Sequence, residues 1–365
     1  MQNSQSVSDF LAQTISHITP LNQSAVREAK IAQSMLALPP GSLGELLKIA
    51  QKLSGITGEI HNSLPKKRII VLCADNGVVR EGVSSAPQSV TARQAVNMTK
   101  GRSGMAALAA HFGNEVQVVD VGIACDYDCP AIVNRKIRNG TDSILHGKAM
   151  TKEEAERAIA IGIELAEQAK SDGVHALGVG EMGIGNTTTS TAVLSVLTKT
   201  PSERITGRGG CITDEMLAHK KEVIARAIEK NKPDANDVID VLSCVGGFDI
   251  ASMCGVFLGA ARHKIPVVID GYISIVAALC AFRLCKTVRD YLFPSHISEE
   301  KGYKIAMKEF SLSPYLHLGM RLGEGSGCPL AFEILDAACV IMNDMATFEQ
   351  AHISDDYLQG LRDEL

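Results

Sequence analysis

Three loops of this chain combine glycine with side chains able to hold an anion or move a proton. The richest runs Gly178-Val-Gly-Glu-Met-Gly-Ile-Gly-Asn-Thr-Thr-Thr189. Its glycines let main-chain amides approach a ligand closely, Asn186 and Thr187 can donate hydrogen bonds, and a helix opening there favours negative charge at its N-terminus. No Gly-Lys-Ser/Thr follows, so it is not a Walker loop. Four glycines around an acidic Glu181 exceed what a simple strand-to-helix turn capped by Asn186 or Thr187 would need. The second loop, Gly207-Arg-Gly-Gly210, precedes a helix carrying Lys220. The amides of Gly209 and Gly210 with one ammonium suit a phosphate, although Lys220 taken alone reads equally as a solvated helix residue. In the third, Arg321-Leu-Gly-Glu-Gly-Ser-Gly327, glycine flanks Glu324 on both sides. Partial burial there would raise the carboxyl towards neutrality and make it a usable base, the competing role being a cap on the following helix.

Other groups rank lower. Asp75-Asn76-Gly77 and Asp270-Gly271 place acids at strand ends, where they suit ribose hydroxyls or an Asx-turn, with Asp270 the better functional candidate. His296 and His317 read as structural or surface residues, and Met253, Met320, Met342 and Met345 as packing. Cys125 and Cys129 have no second ligand pair at metal-site spacing, so no metal is expected. No Gly-x-Ser-x-Gly elbow is present.

Elements to position these loops are legible from periodicity. The first ~65 residues read as helices, over 10–21, 25–38 and, after Pro39-Pro40-Gly41, from a cap at Ser42 through Leu53. Short apolar runs then alternate with amphipathic helices. The strands fall at Arg68–Cys73, Val116–Val121, Ala176–Val179, Pro266–Ile269, Tyr291–Phe293 and Tyr315–Leu318. The helices fall at Thr91–Phe112, Lys152–Ser171, Thr187–Thr198, Asp214–Lys230, Ile250–His263, Ile273–Leu284 and, last, Leu330–Met345. Runs apolar throughout suit parallel strands covered on both faces. The fold class is therefore α/β, a wound parallel sheet of about six strands flanked by helices, with a small helical domain built from both termini. The expected division is 1–65 and 325–365 for the small domain and 66–324 for the sheet domain. Ligands of such sheets bind beyond the carboxyl ends of the strands, where the first and third loops lie.

Bulk properties narrow the partners. Of 365 residues, 36 are basic and 41 acidic, a net charge of −5 without a basic stripe, which argues against nucleic acid. The 45% hydrophobic content supports a sizeable core, and the most apolar stretch, 265–285, is too interrupted to span a membrane. Its N-terminal residues lack the pattern of a secretory signal, and ten scattered cysteines fit free thiols in a reducing cytoplasm.

Read together, CADNGVVREGV (73–83), TARQAVNMTKG (91–101), GVGEMGIGNTT (178–188), 240–262, PVVIDGYIS (266–274), YLFPSHIS (291–298), RLGEGSGCPLA (321–331) and the PPGSLG turn at 39–44 resemble the nicotinate-nucleotide–dimethylbenzimidazole phosphoribosyltransferase family. The resemblance implies transfer of the phosphoribosyl group of nicotinate mononucleotide to 5,6-dimethylbenzimidazole, giving α-ribazole 5′-phosphate and nicotinate for cobalamin nucleotide-loop assembly. It implies Glu324 as catalytic base, Glu181 and Gly183 lining the active site, and Lys220, Gly209 and Gly210 at the phosphate. It places Asp270 at the ribose, and Gln94, Met182 and Leu322 at the aromatic base, with no cofactor and a homodimeric enzyme. Ser84 to Pro87 would abut the base, which leaves benzimidazole, adenine and phenolic acceptors open. A phosphoryl-transfer enzyme or a non-catalytic nucleotide sensor is the alternative for the same glycine loops.

Overall fold

The computed structural model describes residues 6–358, so residues 1–5 and 359–365 of the expected small domain lie outside it. Three helices come first, α1 (Val7–Ser16), α2 (Gln23–Ser34) and α3 (Glu45–Thr57). Asn22 caps α2 through its side chain, accepting from the amides of Ser24 and Ala25 at 3.0 and 3.2 Å. Ser42 does not cap α3; Gly44 occupies the cap at φ 51° with no side-chain bond. The left-handed turn set by Gly44 ends the Pro-Pro-Gly break two residues later than expected.

The sheet domain follows. Its first half contains β1 (Lys67–Ala74), α4 (Ser89–Thr99), α5 (Gly104–His111), β2 (Glu115–Gly122), β3 (Val133–Asn134), α6 (Lys152–Ser171), β4 (Ala176–Met182) and α7 (Asn186–Thr198). After α8 (Ser202–Ile205), α9 (Asp214–Asn231), α10 (Val238–Val245) and α11 (Phe248–Arg262) come β5 (Val267–Ile269), α12 (Tyr272–Leu284), β6 (Leu292–Pro294), α13 (Tyr303–Lys308) and α14 (Cys328–Asp344). All six strands are parallel, in the order β3-β2-β1-β4-β5-β6. β1 and β4 are buried almost end to end, as expected for strands covered on both faces. α6 starts where the sequence places it because Thr151 and Glu154 form a reciprocal cap: the Thr151 hydroxyl accepts from the Glu154 amide at 3.1 Å, and the Glu154 carboxylate from the Thr151 amide at 2.9 Å.

Three sequence expectations differ from the fold. The single helix over 91–112 is two, because Gly101 turns left-handed at φ 70° and Ser103 caps α5. Tyr315–Leu318 is not a strand: it pairs with the chain beyond β6 only through a His296–Leu316 bridge. Leu318 there is 58% exposed, so the run lacks the second covered face that the pattern suggested. The two-residue β3 was not expected, being too short to leave a period in the sequence.

α14 returns to the N-terminal helices and packs on α3. Leu36 bridges Thr347, the Ala37 amide donates to Ala346 at 3.0 Å, and the Phe348 amide donates to Met35 at 2.9 Å. The Asn343 amide adds a 2.8 Å bond to the Asn62 carbonyl. α14 also touches β4, β5 and α5, so its start and the sheet's ligand-binding edge are one continuous piece. Among the described residues no helix is long and apolar enough to cross a membrane.

Candidate active site

At β1 and β4 the strand order changes direction, one neighbour continuing to β2 and the other to β5. Loops leaving such a switch point diverge and open a crevice. A cavity of about 500 Å³ lies there, lined by residues of 84–86, 181–187, 209–211, 270–274, 298–300 and 321–324.

Glu324 occupies a backbone state that side chains avoid. Its φ is 64°, between Gly323 at 79° and Gly325 at 90°, a run of three left-handed residues in which only the middle one carries a Cβ. Such strain persists where the surroundings over-determine it, and here they do. The Glu324 amide donates to Glu181 Oε1 at 3.1 Å. The amides of Gly325 and Gly327 donate to the two oxygens of Asp270 at 2.9 and 2.7 Å. The Glu324 carbonyl lies directly on Gly180 of β4, where any side chain would collide with it. Two of the glycines in the first loop therefore serve the third: Gly180 receives the backbone of Glu324, and Gly178 receives Cys328.

Glu324 is 7% exposed. Oε1 accepts from Gln94 Nε2 at 2.8 Å, while Oε2 is buried with no partner. Burial raises the carboxyl above its ordinary value, with the Gln94 bond and the nearby Ser103 hydroxyl opposing. Glu324 caps no helix, since α14 begins at Cys328 with no side-chain cap. A buried acceptor oxygen lacking a donor is costly unless a ligand supplies one.

Glu181 and Asp270 are less suited to take a proton from a ligand. Burial pushes Glu181 up to about 8, so it holds its own proton at neutral pH. Its oxygens are engaged by the Glu324 amide and by Asn186 Nδ2. Asn186 Nδ2 also reaches Asp249 Oδ2 at 3.1 Å, and Asn76 Nδ2 lies 3.4 Å from the same oxygen. Asp270, expected at the ribose, lines the cavity but spends both oxygens on the loop amides. Asp75 is likewise internal, accepting from Thr91 Oγ1 at 2.7 Å and the Ala124 amide at 2.8 Å. Thr91 Oγ1 in turn accepts the Ile184 amide at 3.1 Å, fixing the first loop to α4.

At the far end, Lys220 is 2% exposed rather than solvated. Its Nζ donates to Thr187 Oγ1 at 2.7 Å, beneath Gly209. Burial lowers it to about 8, with the Glu300 carboxylate opposing. Gly183, Thr187, Gly209 and Gly210 face the cavity, as do Met182 and the 57%-exposed Leu322 at the rim. Gln94 and Lys220 stand one side chain behind, touching it through Glu324 and Thr187. Ser84 and Ala86 line it too. His296 is buried and lowered to about 4 by burial, hence neutral, with Nδ1 bonded to Ser295 Oγ at 3.0 Å; His317 is exposed.

Asn76, Asp249 and Glu300 are binding-site neighbours that the sequence does not single out. Asn76 is visible there only as part of the Asp-Asn-Gly turn. Asp249 carries a faint signal, an acid directly after Gly-Gly-Phe at the start of α11, buried up to its last residue. Glu300 carries none.

An α/β chain with a buried carboxylate at the switch point and a buried ammonium beside glycine amides has the layout of an enzyme acting on a phosphorylated ligand. A family profile described as phosphoribosyltransferase matches residues 18–353. A nicotinate-nucleotide–dimethylbenzimidazole phosphoribosyltransferase of Clostridium perfringens is 49% identical over 355 residues, 97% of this chain and 98% of that one. One from Yersinia enterocolitica is 45% identical, covering 94% and 97%. The crystal structure of the enzyme of that name from Thermus thermophilus superposes with a TM-score of 0.86 at 35% identity, over 92% of this chain and 99% of that chain. The chain belongs to the nicotinate-nucleotide–dimethylbenzimidazole phosphoribosyltransferase family.

Proposed function

We propose that this chain transfers the phosphoribosyl group of nicotinate mononucleotide to 5,6-dimethylbenzimidazole or a related aromatic base, releasing nicotinate in cobalamin nucleotide-loop assembly. The observation that carries the mechanism is the unpartnered, buried Oε2 of Glu324, an acceptor awaiting an N–H. The pyridinium of the nucleotide already leaves well, so the protein needs no strong acid. One ring nitrogen of the incoming base supplies an electron pair to C1′. The bond from C1′ to the pyridinium nitrogen breaks, and its pair neutralises the departing ring. Positive charge gathers on the ribose meanwhile, as in glycoside hydrolysis. The proton on the base's second nitrogen passes to Glu324 Oε2. Attack opposite nicotinate inverts the anomeric carbon, from β to α. Phosphate held by Lys220, Thr187 and the Gly209–Gly210 amides orients the ribose, and such positioning lowers a barrier by several kcal/mol. Asp270 acts by holding the Glu324 loop.

Nicotinate release is expected only when an aromatic base is added, with one α-riboside phosphate formed per nicotinate. Base-independent release at the same rate would make the chain a nucleotide hydrolase and sink the transfer reading. Competition among dimethylbenzimidazole, adenine and p-cresol, with product identification, fixes the preferred acceptor.

Lys220 gives a pH signature with a defined sign. With its value lowered to about 8, the ammonium predominates below pH 8 and is lost above it. KM for the nucleotide is therefore expected to rise as pH climbs through 8 in the native enzyme, while Lys220→Ala raises KM about tenfold at neutral pH and flattens that limb. An unchanged KM in the variant would remove Lys220 from the phosphate.

Leu318 and, at the cavity rim, Leu322, 58% and 57% exposed, support a homodimer that covers them, and ten unpaired cysteines support a reducing, cytoplasmic setting. Of the expected small helical unit, the described residues 6–65 and 325–358 pack together in this reading, with the α3–α14 contact as its support.

A further inference from the structure

The end of the cavity assigned to phosphate already holds a carboxylate. Glu300 lies between β6 and α13, and its Oε1 accepts the Gly209 amide at 3.0 Å. Its other oxygen lies against Gly207, where any side chain would collide with it. The same carboxylate acts electrostatically on Lys220, whose Nζ is bonded to Thr187 Oγ1 at 2.7 Å. Lys220 Nζ is also 3.4 Å from where a Cβ on Gly209 would stand. The Gly209 amide that would receive a phosphate thus already holds an anion of the protein's own, within the electrostatic reach of Lys220. Glu300, Thr187 and Gly209 all line the one cavity.

Nothing else locks this carboxylate in place. Among the described residues no lysine, arginine or histidine lies within ion-pair distance of it, and the residue is half-buried. Its main chain, by contrast, is tied down: its carbonyl accepts the Tyr303 amide at 3.0 Å and its amide lies 3.4 Å from Ser298 Oγ. A fixed backbone with a carboxylate held chiefly by one exchangeable amide is the arrangement of a displaceable group.

We propose that Glu300 is a resident competitor for the phosphate position, holding the Gly209 amide in the empty enzyme and swinging out when the nucleotide enters. This rests on the assignment of the Lys220 end of the cavity to phosphate. Two anions cannot share one amide and one ammonium without strong repulsion. The competition weakens every anion by the same factor. A nucleotide brings ribose and ring contacts to offset it, whereas inorganic phosphate, with nothing else to offer, is kept out of the empty site.

The test uses the intact enzyme and inorganic phosphate as an inhibitor competing with nicotinate mononucleotide, in Glu300→Gln and Glu300→Ala. Both the inhibition constant for phosphate and KM for the nucleotide are expected to fall together, by about tenfold in Glu300→Ala. The fall is smaller in Glu300→Gln, which keeps a neutral acceptor on the Gly209 amide. The change is expected in KM more than in kcat. If either constant stays put or rises in both variants, Glu300 is not a competitor; a rise in KM alone would make it a ribose contact instead. Lys220→Ala separates the two levels of the argument. If Lys220→Ala weakens phosphate inhibition while the Glu300 variants change nothing, only the Glu300 proposal falls. If neither Lys220→Ala nor the Glu300 variants affect phosphate inhibition, phosphate binds elsewhere, and both readings fall. Should Glu300→Ala unfold at a lower temperature than the native enzyme, the isosteric Glu300→Gln decides.

Discussion

Glu324→Gln is expected to fold like the native enzyme and to lose about 10²–10⁴-fold of kcat, the range typical for removing a positioned general base. Glutamine keeps the size of the side chain and can still meet Gln94, but it cannot accept a proton. The strained backbone of Glu324 makes a second variant informative. Glu324→Gly removes the Cβ that makes φ 64° unfavourable, a strain of roughly 1–2 kcal/mol, partly offset by the greater freedom of glycine in the unfolded chain. It is expected to be as inactive as Glu324→Gln yet to unfold at a higher temperature. Stability and activity should thus move in opposite directions at one residue. A glutamine variant retaining more than a tenth of native kcat would falsify the assignment of the base; a glycine variant that melts earlier would show that the loop, not the residue, bears the strain.

Asp270→Ala is expected to be the other severe change, and its kinetic pattern separates two roles. Both carboxylate oxygens accept amides of the loop that carries Glu324, at 2.9 and 2.7 Å. Removing them leaves two buried N–H groups without partners, each costing about 1–3 kcal/mol. The loop would relax and carry the base off line, and a displacement of about 1 Å can cost on the order of 10²-fold in rate. The expected result is a lower melting temperature with kcat reduced and KM for the nucleotide little changed. Asp270→Asn, which preserves the volume and one acceptor, is expected to recover part of both losses. If KM rises sharply while the melting temperature holds, Asp270 meets the ribose directly, as the family resemblance implies.

Much of this is legible in the sequence because the chemistry is concentrated in loops with unusual composition. Glu324 between two glycines is visible without coordinates, and so is Glu181 within its glycine run. What these residues do for each other is not. That Gly180 makes room for the Glu324 carbonyl, or that Asn186 links Glu181 to Asp249, depends on strands and helices distant in the chain being brought together. The strands that bury both faces are visible as apolar runs. Tyr315–Leu318 misleads because it shows the same run while covering only one face. The break between α4 and α5 is hidden in a helical period, although it brings both Gln94 and Ser103 to the Glu324 carboxylate. Glu300 is illegible for a simpler reason: its partner amide, at Gly209, is 91 residues away and gives no local sign.

Gln94 and Glu324 bond across 230 residues of chain, and α14 starts four positions beyond Glu324 before returning to pack on α3. During synthesis the first two glycine loops and the buried lysine emerge long before Glu324 does. The cavity is itself walled by residues 270–274, 298–300 and 321–324, so the pocket and the carboxylate that faces it are completed together by the last stretch to be translated.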